Sequence, residues 1–274
     1  MYNKIKSIFK NKIIENVQDI INNSYYYFYQ DYSCKNIFGI KKDISSSEYL
    51  MLNTMFLEKK TYSLDAKQQS ISEYLYGESS SPFKQDINFV VYSVNDEDET
   101  IVNKVLEDIY SNITIIKYMK FSVAFGLFDL TIKDMFQALS SDLGYNVFVN
   151  FGFLITKETK GEEIVSYINY CDKLESNEFT TLSDVVINAN NKNIELIRLI
   201  SKNVINKLKD LASYNEIVNV LFKNNLNVSL TSKLLYMHRG TVLNKIEQIK
   251  KLTTLDVQNF KDAYTLKILI DIEK

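Results

Sequence analysis

The side chains best suited to chemistry gather near the C-terminal end, in the run Asn227-Val-Ser-Leu-Thr-Ser-Lys-Leu-Leu-Tyr-Met-His-Arg-Gly-Thr-Val242 and the residues just after it. An Arg such as Arg239 can fork onto guanine, Asn244 and Gln248 can pair with adenine, and Leu243 can touch a thymine methyl. Thr241, Lys245 and Ser229 suit phosphate oxygens. His238 is the only histidine in the chain. It is expected to cap or orient the start of a helix, with donation to a phosphate as its other role.

These residues need elements to position them. A first helix is expected to end near Asn224 or Asn225. A second starts at Asn227-Val-Ser229, with Ser229 as N-cap, and runs through Leu235. A tight connection follows at Tyr236-Met237, and a third helix spans about Arg239 to Leu252. Short helix, turn and longer helix form the helix-turn-helix layout, whose second helix enters the major groove of DNA. Leu235, Met237, Val242, Ile246 and Ile249 fall where the helices pack together, and Ser232 sits where they approach most closely. The opposite face of the third helix then shows Arg239, Gly240, Leu243, Asn244, Glu247 and Gln248. The competing interpretation is a helical hairpin that only packs.

The same run, followed by Ile246-Glu-Gln-Ile and Leu252-Thr-Thr-Leu-Asp256, resembles the C-terminal DNA-binding domain of the PucR/CdaR family of transcriptional regulators. That family reads N-V-S-x-T-A-x-x-L-x-I-H-R-N-T-L, then R-L-x-x-I-x-x-L-T-G-L-D, then a helix like Phe260 to Ile272. The resemblance covers about Ser213 to Lys274. Departures are Ser232 for Ala, Gly240 for Asn, Asn244 for Tyr and Lys245 for Arg. Two of these lie on the expected reading face, so the operator sequence does not carry over from relatives.

Composition narrows the alternatives. Among 274 residues there are 7 Gly, 1 His and 2 Cys, which excludes Gly-rich phosphate loops and any chemistry that needs two histidines. Cys34 and Cys171 stand far apart, without a zinc or disulfide pattern, as expected in a reducing cytosol. No apolar run approaches the ~18 residues of a membrane span, and the N-terminal stretch lacks the apolar core of a signal peptide. The chain has net charge −2, yet residues 213 to 251 hold six basic and two acidic side chains. A basic module on an acidic body points to a polyanion met by the module alone.

The rest of the chain reads as α/β. An amphipathic helix is expected over residues 2 to 23, with an apolar stripe of Ile5, Phe9, Ile13, Val17 and Ile20. Strands follow at Tyr25 to Tyr32 and Asn36 to Lys42, then helices from Ser46 or Ser47 to Glu58 and from Leu64 to Tyr76. The breaker cluster Gly77 to Pro82 marks a boundary. Beyond it, strand Ile87 to Val94, helix Asp96 to Tyr110, a hairpin of Ile113 to Tyr118 and Phe121 to Phe128, helix Thr131 to Leu143, strand Tyr145 to Ile155 and helix Gly161 to Leu174 form a split βαβ, ferredoxin-like order. The acidic run Asp96 to Glu99 is expected to be a solvated helix start. A connecting helix runs from Asn191 to Lys209.

The PucR/CdaR resemblance implies that a degenerate GGDEF-like domain precedes the helix-turn-helix, and the split βαβ segment resembles one. A working cyclase carries its acidic motif in the central hairpin. Here that hairpin is Tyr118-Met-Lys120, with no acid to hold a divalent cation.

The expected fold class is therefore α+β: a ferredoxin-like, degenerate GGDEF-like body, an N-terminal α/β region and an all-α C-terminal helix-turn-helix domain. The expected domains are 1–80, with a sensory or dimerising role, 83–180 GGDEF-like, 181–212 connecting, and 213–274 DNA-binding. The expected function is a cytoplasmic, effector-responsive, sequence-specific regulator, not an enzyme, without cofactor or metal. It binds double-stranded operator DNA as a homodimer, since one such module reads too few base pairs. The effector is unknown and no membrane is involved. The expected DNA-binding residues are Ser229, His238, Arg239, Gly240, Thr241, Leu243, Asn244, Lys245 and Gln248. The alternative is a non-catalytic α/β protein-interaction or nucleotide-binding module whose C-terminal helices mediate protein contacts.

Overall fold

The structure is a computed structural model that describes residues 2–14, 26–30, 37–59, 65–118, 120–129, 131–174, 179–209, 211 and 214–273. The N-terminal part holds a four-stranded antiparallel sheet in the order β1-β3-β2-β4, from β1 (Ile13–Ile14), β2 (Tyr26–Gln30), β3 (Ile37–Lys41) and β4 (Leu57–Lys59). Helices α1 (Tyr2–Phe9) and α2 (Ser46–Met55) accompany it. Ile5, Phe9, Tyr29, Phe38, Ile40, Leu52 and Phe56 form its core.

Three expectations change here. The first helix stops at Phe9, and Ile13 and Ile14 pair with Ile40 and Gly39. Two adjacent β-branched residues fit a pleated edge better than a further helical turn; residues 15–23 of the expected helix lie outside the described residues. Second, of the expected helical stripe only Ile5 and Phe9 are helical among the described residues, where they are buried in the chain's own core, while Ile13 is in β1. Third, α2 is capped by Ser45, whose Oγ accepts from the Glu48 amide (3.2 Å) while the Glu48 carboxylate accepts from the Ser45 amide (2.7 Å). This reciprocal box satisfies two donors that the helix leaves open. The chain then leaves the helix at Phe56, and Leu57–Lys59 pairs with β2. The strands expected at Tyr25 to Tyr32 and Asn36 to Lys42 are present as β2 and β3; Tyr25, Asp31, Tyr32 and Asn36 lie outside the described residues.

The larger sheet runs β6-β7-β5-β8-β9, with β5 (Asn88–Ser93), β6 (Thr114–Tyr118), β7 (Phe121–Gly126), β8 (Phe148–Phe151) and β9 (Phe179–Thr181). All pairings are antiparallel except β8 with β9. Helices α4 (Glu99–Ile109) and α5 (Ile132–Leu143) cover one face, where Val102, Leu106, Ile132 and Phe136 meet Val90, Tyr92, Ala124 and Val149. The other face carries Phe89, Val91, Val123 and Phe125. It packs with α3 (Ala66–Leu75), α6 (Gly161–Cys171), α7 (Leu182–Ala189) and α8 (Ile194–Lys209). Both faces are covered, so β5 and β7 are nearly continuous apolar runs rather than alternating ones. The Tyr118↔Phe121 register closes the expected hairpin, although Met119 lies outside the described residues.

Two elements had no counterpart in the sequence pattern. β9 is three residues long and is held by pairing and by Thr180, whose Oγ1 donates to the Val149 carbonyl (2.9 Å) and accepts from Asn150 Nδ2 (2.9 Å). Helix α7 follows it at once, so the connecting helix begins only at Ile194. The strand expected over Tyr145 to Ile155 shrinks to Phe148–Phe151, because Ile155 re-pairs separately with Ile87. Nor is Glu99 solvated: its carboxylate holds Lys117 Nζ at 2.8 Å and accepts from Ser122 Oγ, tying α4 to β6 and β7.

The C-terminal helices are α9 (Tyr214–Lys223), α10 (Val228–Leu234), α11 (Arg239–Thr253) and α12 (Phe260–Ile272). Their apolar residues, including Ile217, Leu221, Val242, Ile246, Ile249, Leu266 and Leu269, belong to the same continuous core as α6, α7 and α8. Ser201 Oγ of α8 donates to the Leu269 carbonyl (2.7 Å), Ser183 Oγ of α7 donates to Asp262 (2.6 Å), and Lys261 pairs with Asp184 (2.5 Å). Among the described residues no helix is long and apolar enough to cross a membrane.

Candidate nucleic-acid interface

Asn225 and Leu226 carry positive φ (50° and 62°) and turn the chain out of α9, with the Leu226 amide returning to the Leu221 carbonyl (2.9 Å). Asn227 is then extended, and its side chain accepts from the Leu230 amide (3.0 Å). Asn227 is therefore the N-cap, and the expectation of Ser229 is corrected: Ser229 lies inside the first turn. Asn outranks most residues at this position because its carbonyl oxygen reaches the open amides. Ser229 remains exposed, and its carbonyl accepts from Ser232 Oγ (2.9 Å). Ser232 is buried where α10 meets α11, where its small side chain was expected.

The turn into α11 is a backbone device. The Met237 amide returns to the Ser232 carbonyl (2.9 Å), and Tyr236 adopts φ +53°. Such a six-to-one bond with one left-handed residue terminates a helix by satisfying its last carbonyls. His238 caps α11: its Nδ1 accepts from the Gly240 amide at 3.2 Å, which assigns the neutral ring's proton to Nε2. A Cβ at Gly240 would stand 3.2 Å from that Nδ1, so glycine lets the ring close onto the amide.

Along α11, Val242, Ile246 and Ile249 are buried, while Arg239, Thr241, Asn244, Glu247 and Gln248 are exposed; Gly240, Leu243 and Lys245 are half-buried. With 3.6 residues per turn, the outward face centres on Gly240, Asn244, Glu247, Gln248 and Lys251. Arg239 and Leu243 lie along one flank, Thr241 and Lys245 along the other. His238 stands at the helix start with one nitrogen already engaged, and Ser229 sits apart on α10. The sequence pattern passed over Lys251, which the outward spacing from Asn244 and Gln248 would have included.

Electrostatics separates two kinds of lysine. Lys250 pairs with Asp256 (2.9 Å), which holds its ammonium pKa above the ordinary lysine range, and Lys261 and Lys267 have their own carboxylates. Lys223, Lys233, Arg239, Lys245 and Lys251 have no acidic partner among the described residues. They leave uncompensated positive charge at the end of α9, on α10 and along α11 from Arg239 in its first turn to Lys251 in its last.

A family model described as the PucR C-terminal helix-turn-helix domain matches residues 214–272, in agreement with the resemblance found from the Asn227–Val242 run. No curated protein matches the chain. Among solved structures, the crystal structure of a regulator of polyketide synthase expression from Bifidobacterium adolescentis aligns at 12% identity and TM-score 0.37, covering 77% of this chain and 94% of that one. The match covers the four C-terminal helices and marks residues 214–272 as a PucR-type helix-turn-helix, the DNA-binding domain of a regulator rather than of an enzyme.

Proposed function

We propose that the chain is a sequence-specific transcriptional regulator of the PucR/CdaR type that reads double-stranded operator DNA as a homodimer in the cytoplasm, under control of a small-molecule effector. The observation that carries the proposal is the exposed face of α11, with Arg239, Asn244 and Gln248 open to solvent beside cations that no carboxylate among the described residues neutralises. Arg239, Leu243, Asn244 and Gln248 read base edges, with Gly240 allowing close approach. Ser229, Thr241, Lys245 and His238 Nε2 hold phosphates. Two copies are needed because one module reads few base pairs; their half-sites lie about 34–36 Å apart, or a multiple of that.

In this proposal residues 1–80 sense or dimerise, 83–180 form a degenerate GGDEF-like scaffold without nucleotide chemistry, 181–212 connect, and 213–274 bind DNA. The scaffold assignment draws support from the antiparallel order β6-β7-β5-β8 with α4 and α5 on one face.

The test uses the full chain against duplexes selected from a random pool. Arg239→Ala is expected to cost about 1–3 kcal/mol of discrimination between selected and random duplex. Lys245→Ala is expected to weaken both alike and lower the salt slope by about one unit. Failure of the wild type to prefer any selected duplex would overturn the proposal.

A further inference from the structure

Tyr236 is 98% exposed, the most exposed large hydrophobic side chain among the described residues, and it is held at φ +53°. Both facts count against a tyrosine in the free protein. An exposed ring gains nothing from burial, and a bulky residue in the left-handed region is strained where glycine or asparagine is not. The conformation is imposed by the turn, since the Tyr236 amide returns to the Lys233 carbonyl (3.2 Å) and the Met237 amide to the Ser232 carbonyl (2.9 Å). Among the described residues the side chain has no hydrogen-bond partner that would offset the cost.

Its place in the fold is specific. Tyr236 stands two residues before the His238 cap of α11, between Lys233 and Arg239 in the chain, neither of which has an acidic partner among the described residues. In a helix-turn-helix the first helix crosses the DNA backbone while the N-terminal residues of the second enter the major groove, so the turn that joins them lies between backbone and groove. A tyrosine hydroxyl is one of the ordinary donors to phosphate oxygen. A turn locked by two backbone bonds presents that hydroxyl with little ordering cost on binding.

We infer that Tyr236 is a DNA-backbone contact, its phenolic hydroxyl donating to a phosphate oxygen at the wall of the groove entered by α11. This rests on the DNA-binding function proposed above. Such a contact positions the helix without reading sequence. It is also uncharged, so it releases no counterion and leaves the salt slope unchanged, unlike a lysine contact.

The test compares wild type, Tyr236→Phe and Tyr236→Gly as full chains, by fluorescence anisotropy on a selected operator duplex and on a random duplex of equal length, across a salt series. Phe keeps the ring and the strain but removes the donor. Gly removes the side chain and relieves the strain. Both variants are expected to lose about tenfold in affinity for both duplexes, the worth of one hydrogen bond to a charged group, with salt slopes parallel to wild type. Tyr236→Gly is expected to melt at or above the wild-type temperature, separating the loss from unfolding. Wild-type affinity in Tyr236→Phe would overturn the hydroxyl contact, as would a loss confined to the operator, which marks a base contact instead. If wild type binds neither duplex, the DNA-binding function itself fails and this inference falls with it. If wild type binds and Tyr236→Gly binds equally, only this inference fails.

Discussion

Lys207 of α8 gives the sharpest test of the packing between the body and the helix that leads to the DNA-binding end. Its ammonium donates to the Leu154 carbonyl and to Asn203 Oδ1 (2.6 Å) and lies 5.8 Å from the centre of the Phe153 ring. Burial pushes its pKa down to about 7 from 10.5, although Asp86 and Glu163 pull the other way. The neutral amine is thus favoured in the folded chain, while the unfolded chain holds its proton to higher pH. Between these values the unfolded state binds more protons, so stability rises with pH, at up to about 1.4 kcal/mol per pH unit. Integrated from pH 7 to 9, the gain is about 2 kcal/mol. The window closes near pH 9, the ordinary value of the Cys171 thiol. Burial pushes that thiol up in the folded chain, so from there its loss offsets the Lys207 gain and stability levels off, and Tyr74, pushed up to about 12, turns the balance to a fall above pH 10. Glu163, raised by burial, acts with the opposite sign on the acid side. The assay is urea unfolding of the full chain, followed by circular dichroism at pH 7, 8 and 9, for wild type and Lys207→Met. Wild type should gain about 2 kcal/mol across the series. The variant should be flat, whatever its absolute stability. Parallel pH profiles for the two proteins would refute the assignment.

Three further outcomes are expected. Gly161→Ala should cost about 1–3 kcal/mol in unfolding free energy, because its Cβ would stand 2.0 Å from the Tyr74 carbonyl oxygen and 2.7 Å from Leu75 Cα, backbone atoms that cannot swing aside. Asn227→Ala should cost about 1 kcal/mol by urea unfolding, since the Leu230 amide loses its acceptor; the same change at Ser229 should be nearly silent. Thr231→Val should raise stability by up to about 1 kcal/mol, because Thr231 Oγ1 is buried without a hydrogen-bond partner among the described residues; its melting point measures this, with DNA affinity expected to stay unchanged.

Local patterns carried much of this architecture. The Val242, Ile246, Ile249 spacing placed α11 within a residue of its ends, the Leu143-Gly144 pair marked where α5 stops, and Tyr118 to Phe121 left room only for a hairpin. Each depends on neighbours a few residues apart, so each is written in the chain. The PucR-type motif was legible for the same reason, because cap, turn and helix face lie within one short run. Tertiary structure decided the rest. β9 has three residues and no period of its own; it is a strand because β8 offers it an edge. Ile13 and Ile14 continue a helical pattern but pair with β3, since packing overrides propensity when a sheet edge is open. Asn227 and Ser229 are both good caps, and only the backbone angles chose between them. Periodicity predicted that Val242, Ile246 and Ile249 pack between the C-terminal helices. The fold also joins Leu266, Leu269 and Ile249 to α8 in one continuous core, because an apolar stripe reveals that a face is buried but not what buries it.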